Sequence, residues 1–116
     1  MYHLKNKKTL GRKVGPRKAL TKNLAQSLVL YEKIKTTETK AKCIKPKVEK
    51  MVTRAFGNTL HNRRELMKKL LTKNAVKKLL EVLGPRYKDR KGGYLRIVKL
   101  GERKGDGAKM VQIEFV

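Results

Sequence analysis

The chain has 116 residues, with 32 Lys and Arg against nine acids, for a formal net charge of +23. That length holds one domain, and that charge repels itself unless a polyanion completes it. The expected partner is nucleic acid, whose closely spaced phosphates release condensed counterions to Lys and Arg. The single cysteine, Cys43, excludes an internal disulfide, no run of some 18 apolar residues is present to span a membrane, and the start lacks the apolar core of a secretory signal. A cytoplasmic protein is expected; the basic, acid-free start shares its composition with organelle transit peptides but lacks their serine and amphipathic stripe.

The charged fraction, 35%, is well above the roughly 25% of an ordinary domain, yet the apolar residues fall at regular spacings, which predicts a folded body behind a basic extension. Residues 1–16 hold two glycines and a proline among cations, with Leu4, Leu10 and Val14 too far apart to form a face; they read as an extended arm. Pro16 suits the first turn of a helix, and Leu20, Leu24, Leu28 and Tyr31 continue a stripe, so the first helix is predicted from about Arg17 to Tyr31. Lys33 to Thr37 is short, β-branched and alternating, a candidate strand. Thr37 or Thr39 then caps a helix with the stripe Ala41, Ile44, Val48, Met51 and Ala55, stopped at Gly57. Pro46 conflicts with that stripe and predicts a kink near Lys42 to Cys43 or a start near Lys45.

Asn58 or Thr59 starts a third helix through Leu60, Met67, Leu70 and Leu71, and Thr72 or Asn74 a fourth through Val76, Leu79, Leu80 and Leu83. Gly84 is expected to end the fourth in a left-handed conformation, with Pro85 blocking continuation. Two strands follow, Tyr94 to Leu100 and Lys109 to Phe115, joined by the turn-rich GERKGDGA as an antiparallel hairpin. The predicted class is α+β: a two-layer α/β domain in the order α-β-α-α-α-β-β, spanning 17–116, with a small mixed sheet ending in the hairpin and the basic arm in front.

Catalysis is poorly supported. The nine acids stand singly from Glu32 to Glu114 without an acid–base pair, and His3, His61 and Cys43 do not make a zinc site, so no cofactor or metal is expected. Gly101, Gly105 and Gly107 precede a strand where a nucleotide loop would open a helix, which makes them a hairpin turn. The densest functional cluster runs from Arg86 to Arg96: Arg86, Lys88, Arg90, Lys91 and Arg96 are cations with Asp89 as the lone acid. Arginine forks suit phosphate, Tyr87 and Tyr94 offer stacking faces, and Gly92 and Gly93 admit close backbone approach, although Tyr94 is expected to be partly in the core. Asn62, Arg63 and Arg64 form a second patch; Lys33, Lys35, Lys40 and Lys42 form a third; and Arg103 sits at the hairpin tip.

The segments IKTTETKAK (Ile34 to Lys42), NRR (Asn62 to Arg64) and GPRYKDRKGGYLRIVKLGERKGDGAKMVQIEFV (Gly84 to Val116) resemble the bacterial-type large-subunit ribosomal protein L17 family. The resemblance runs over almost the whole chain. It implies a structural constituent of the large ribosomal subunit, without catalysis, bound to large-subunit rRNA near the polypeptide exit region and flanked by neighbouring ribosomal proteins. No membrane or small-molecule substrate is implied. Of the family's start, Met-Arg-His-Arg, this chain keeps Met1 and His3, and Tyr2 and Leu4 replace the arginines, so only His3 carries over as a contact.

The RNA-binding residues expected are therefore His3, Lys5, Lys7, Lys8, Arg12, Lys13, Arg17 and Lys18 from the start of the chain, and Lys35, Lys40, Arg63, Arg64, Arg86, Tyr87, Arg90, Lys91, Arg96 and Arg103 from the body. RNA shape would be read more than sequence, because A-form RNA hides its base edges in a deep, narrow major groove. The alternative is a small basic DNA-binding, nucleoid-associated protein using the same charges, but no helix pair carries a turn-helix signature.

Overall fold

The computed structural model describes residues 9–116; His3, Lys5, Lys7 and Lys8 lie outside them. Helix α1 spans Val14–Tyr31, three residues longer at its start than the spacing predicts. Pro16 still falls in the first turn, where a missing N–H leaves no carbonyl unserved. Of the arm predicted to be extended, the described part is a turn closed by the Arg12 N–H on the Thr9 carbonyl, 3.0 Å, followed by helix. The buried face of α1 is Ala25, Leu28 and Val29, while Leu20 and Leu24 are only half-buried and Tyr31 is 72% exposed.

Strand β1 spans Lys33–Thr37, as its alternation predicts. Helix α2 runs from Glu38 to Arg54 with Pro46 inside it. The helix starts neither late nor in two pieces: Pro46 and Lys42 both lie on the exposed side, so the carbonyl that loses its N–H partner there is reachable by water. The predicted stripe is buried in full, with Val52 added to it. Gly57 is not in a left-handed conformation; its carbonyl instead accepts from the Asn62 side-chain amide, 2.7 Å.

Helices α3 (Leu60–Lys69) and α4 (Lys73–Lys78) begin as expected at threonines. Thr59 Oγ1 accepts from the Asn62 N–H at 3.2 Å, and Thr72 Oγ1 from the Ala75 N–H at 3.4 Å. On α3 and the turn after it, Leu66 and Leu70 are buried, while Leu60, Met67 and Leu71 stay exposed. Chain direction after α4 departs from the prediction. Gly84 does not end the helix; α4 passes through a π-helical turn, Leu79–Leu83, into a last short helix, α5, Gly84–Tyr87. Gly84 is right-handed (φ −55°), and its N–H bonds back to the Leu79 carbonyl, the wide spacing of a π turn. Its glycine identity answers to packing: a Cβ there would stand 2.8 Å from the Ala55 carbonyl oxygen and 3.1 Å from that of Leu79.

Strands β2 (Leu95–Glu102) and β3 (Lys109–Phe115) complete a three-stranded sheet in the order β1-β3-β2. The sheet was expected to be mixed but is antiparallel throughout, because β3 is central and both neighbours run against it. Leu100 is the extra residue of a bulge between Lys99 and Gly101, and Gly101 supplies the positive φ there. Register places Ile34, Ile113 and Ile97 side by side on the inner face, where α2 packs, and Lys33, Glu114 and Arg96 on the outer face. Among the described residues no helix is long and apolar enough to cross a membrane.

The two layers are joined at Glu32. It caps α1 in the left-handed conformation (φ 63°), with its N–H on the Leu28 carbonyl at 2.8 Å. Its own carbonyl accepts from the Phe115 N–H of β3 at 3.0 Å. The carboxylate pairs with Arg86 and, at 3.5 Å, with Lys78, whose ammonium also donates to the Leu30 carbonyl at 2.8 Å. The Arg86 hydrogen bond outweighs partial desolvation and holds the Glu32 carboxyl below its usual range.

Two substitutions test these junctions. Glu32→Ala removes the ion pairs but keeps the left-handed strain, whereas Glu32→Gly removes both, so by chemical denaturation the glycine variant should be about 1 kcal/mol more stable than the alanine variant. Gly84→Ala gains roughly 1 kcal/mol of helix propensity but meets rigid backbone oxygens, where overpacking costs about 1–3 kcal/mol, so net destabilisation is expected.

Candidate nucleic-acid interface

Nine acids face 32 cations, and six ion pairs engage Lys42, Lys68, Lys78, Arg86, Arg96 and Arg103. The other cations have no acidic partner among the described residues, which leaves most of the positive charge for an external anion. Three of the predicted contact arginines are within the paired set. Arg86 holds Glu32, which keeps its guanidinium at the layer junction. Arg96 reaches across from β2 to Glu114 on β3, Nε to Oε1 2.7 Å, and that bond, with one from Gln112, lowers the Glu114 pKa. Arg103 closes a two-pronged bond onto Asp106 at 3.1 and 2.6 Å, and Asp106 Oδ1 also takes the Ala108 N–H at 3.2 Å. These are solvent-exposed pairs worth little to stability, so each arginine still presents N–H groups to solvent while its position is set.

Tyr87 belongs to the core. The residue is 4% exposed, its ring stacked on Phe115 with centroids 5.8 Å apart and tilted against Tyr94 at 5.6 Å, and its hydroxyl donates to the Val116 carbonyl at 2.7 Å. An unpaired base does not reach it. Tyr94, also buried, meets Phe56 edge-on at 5.8 Å, and its backbone carbonyl accepts from the Val116 N–H at 2.9 Å. The aromatic residues of the Arg86–Arg96 segment thus secure the end of the chain, and its cations remain outside. Arg90 and Lys91 are exposed in the loop that carries Gly92 and Gly93, both of positive φ and both with open space where a Cβ would stand.

The remaining predicted residues are spread over the surface. Arg63 and Arg64 are exposed on α3, while Asn62 is half-buried and occupied with Gly57. Lys35 is exposed on the outer sheet face, and Lys40 is half-buried at the start of α2. Arg12, Lys13 and Lys18 are exposed, and Arg17 is half-buried. Arg12 Nη1 donates to the Leu10 carbonyl at 2.6 Å, which folds that side chain back on its own turn.

Sequence reasoning missed a concentration of lysines in the helical layer. Lys18 and Lys22 of α1, Lys47 and Lys50 of α2, and Lys68 and Lys69 of α3 surround one cleft, with Thr21 and Met51 in its wall and no carboxylate among its lining residues. The signal was present as helical spacings, i to i+4 on α1 and i to i+3 on α2, but which helices would face one another was not readable from them.

The Arg103–Asp106 brace makes a pH prediction. Arg103's hydrogen bond, followed by that of the Ala108 N–H, pulls the Asp106 carboxyl down to about 2 from 3.8. A depressed carboxyl contributes stability that is complete above about pH 4 and is lost as pH falls through about 2. A carboxyl-carbon NMR titration should give Asp106 a midpoint near 2, and Arg103→Gln should move that midpoint upward. A midpoint unchanged by the substitution would contradict the brace.

Comparison with known proteins gives a consistent result. A model of the family "Ribosomal protein L17" matches residues 20–116. The "Large ribosomal subunit protein bL17" of Carboxydothermus hydrogenoformans is 48% identical over the full length of both chains. Those of Roseobacter denitrificans, 51% identical over all of this chain and 83% of theirs, and Thermomicrobium roseum, 47% identical over all of this chain and 99% of theirs, are similarly related.

Proposed function

Because the chain belongs to the ribosomal protein L17 family, we propose that it is a non-catalytic structural constituent of the bacterial-type large ribosomal subunit that binds large-subunit rRNA near the polypeptide exit region. The observation that carries this reading is a folded α+β body whose cations so far outnumber their acidic partners, joined to full-length similarity with large-subunit proteins. The body brings its charge in fixed positions, on α3, on the Arg90–Gly93 loop and on the outer sheet face. Residues 1–13, which precede α1, act as a polycationic arm that follows the RNA backbone, with His3, Lys5, Lys7, Lys8, Arg12 and Lys13 as its contacts. Neighbouring large-subunit proteins cover part of the remaining surface.

Contacts of this kind are made to phosphate and read shape. Affinity for large-subunit rRNA should therefore fall linearly with the logarithm of salt concentration, with little dependence on single bases. The deciding measurement is sedimentation: the cellular protein should remain stoichiometric with large subunits after a moderate salt wash. Recovery mainly on the nucleoid, or free, would overturn the reading. Deletion of residues 1–13 should leave the circular dichroism of the body unchanged and weaken incorporation several-fold; equal incorporation would remove the arm from the mechanism.

A further inference from the structure

Resting on the reading above and deepening it, we propose that the lysine cleft between α1, α2 and α3 is the seat of one RNA sugar–phosphate strand, which crosses the body over Lys50 and Lys69. Six lysines line this hollow: Lys18, Lys22, Lys47, Lys50, Lys68 and Lys69. Only Lys68 has an acidic partner among the described residues, Glu65 at 3.1 Å. Ammonium groups gathered around a concave surface repel one another, and the apolar stems and protein walls behind them focus that potential into the hollow. Of the buried residues of α2, Ala41, Ile44, Val48 and Val52 do not line the cleft, and Met51 alone closes its wall beside Lys47 and Lys50.

A second hollow adjoins the first and shares Lys50 and Lys69 with it. Beyond those two side chains it is bounded by Arg54, Tyr94 and Gly92. Its one acid is Glu49, of which one carboxylate oxygen is buried. Lys50 and Lys69 thus stand between two hollows and are reachable from both, which is the position of charges that grip a strand passing over a saddle. Gly92 is part of its lining, and the absence of a side chain there leaves space for a phosphate to approach the backbone. The lining also favours charge over base identity. Lysines are compact charges with rotatable donors and lack arginine's planar fork, so the seat recognises successive phosphates of a strand and not a base edge.

The test compares two triple variants of the full-length chain that remove equal charge. Lys22→Gln/Lys50→Gln/Lys69→Gln removes three of the six cleft lysines; Lys73→Gln/Lys77→Gln/Lys109→Gln removes exposed lysines from α4 and β3. Affinity for transcribed large-subunit rRNA is measured for both and for wild type over a range of salt concentrations. The cleft variant should lose about 30-fold or more and its salt slope should fall by about two, at roughly 0.7–0.9 for each phosphate that is no longer neutralised. The control should lose less than about a third of that. In the absence of RNA, the cleft variant should melt no lower than wild type, because like-charge repulsion is relieved; this separates weakened binding from failed folding. Equal losses in the two variants, with wild type bound, overturn the seat and leave the ribosomal reading standing. Wild-type protein that neither binds the rRNA nor sediments with large subunits overturns both. Binding of the cleft variant restored to wild type by Lys-for-Gln reversal at 50 and 69 alone supports the saddle.

Discussion

Glu32 is the constraint on which the arrangement of the two layers depends. It is the first acid in the chain, and it stands where α1 must turn into β1. Its backbone takes the left-handed conformation that reverses the chain, its carbonyl holds the last residues of β3, and its carboxylate collects Lys78 from α4 and Arg86 from α5. One residue therefore connects three stretches of chain that are far apart in sequence: the α1–β1 junction, the α4–α5 run and the end of β3. In a chain so rich in cations, a carboxylate at that point also does what no neutral side chain does: it lets two cations approach the same junction without repelling each other.

Burial and charge use different parts of the same helices. The core is an apolar cluster that runs from Ala25 through Ile44, Leu66 and Leu79 to Ile113. Each fully buried large aliphatic side chain contributes about 1.5–3 kcal/mol, far more than the exposed ion pairs, whose typical worth is about 0–1 kcal/mol each. Burial therefore holds the body together against its own charge, and the ion pairs locate side chains. This division explains why Arg96 and Arg103, both paired, remain suited to an external anion: the pairing limits where the guanidinium sits and leaves it exposed to solvent.

Much of the fold was legible because its elements announce themselves locally. β1 and β3 fall at their predicted residues, the α2 stripe is buried in full, and the threonine caps of α3 and α4 are in place. The misreadings arise where the surroundings in space, a packed neighbour or open solvent, overrode a local rule. Gly84 followed by Pro85 reads as a helix stop, but a π turn carries the chain on into α5, and the glycine answers instead to the Ala55 carbonyl, which leaves no room for a Cβ. Pro46 reads as a break, but its position on the exposed side of α2 lets water serve the carbonyl it abandons. Tyr87, in a run of cations, reads as a stacking residue until Phe115 and Val116 are placed beside it.

Sequence by itself determined the charge excess, the α+β order and the family, because composition, hydrophobic period and motif spacing are properties of the chain alone. Tertiary structure decided which cations lie together. Lys18, Lys22, Lys47, Lys50, Lys68 and Lys69 are ordinary solvated positions on three separate helices until those helices pack and turn them toward one cleft. The electrostatic potential of a site depends on distances in space, and only the packed core sets those distances.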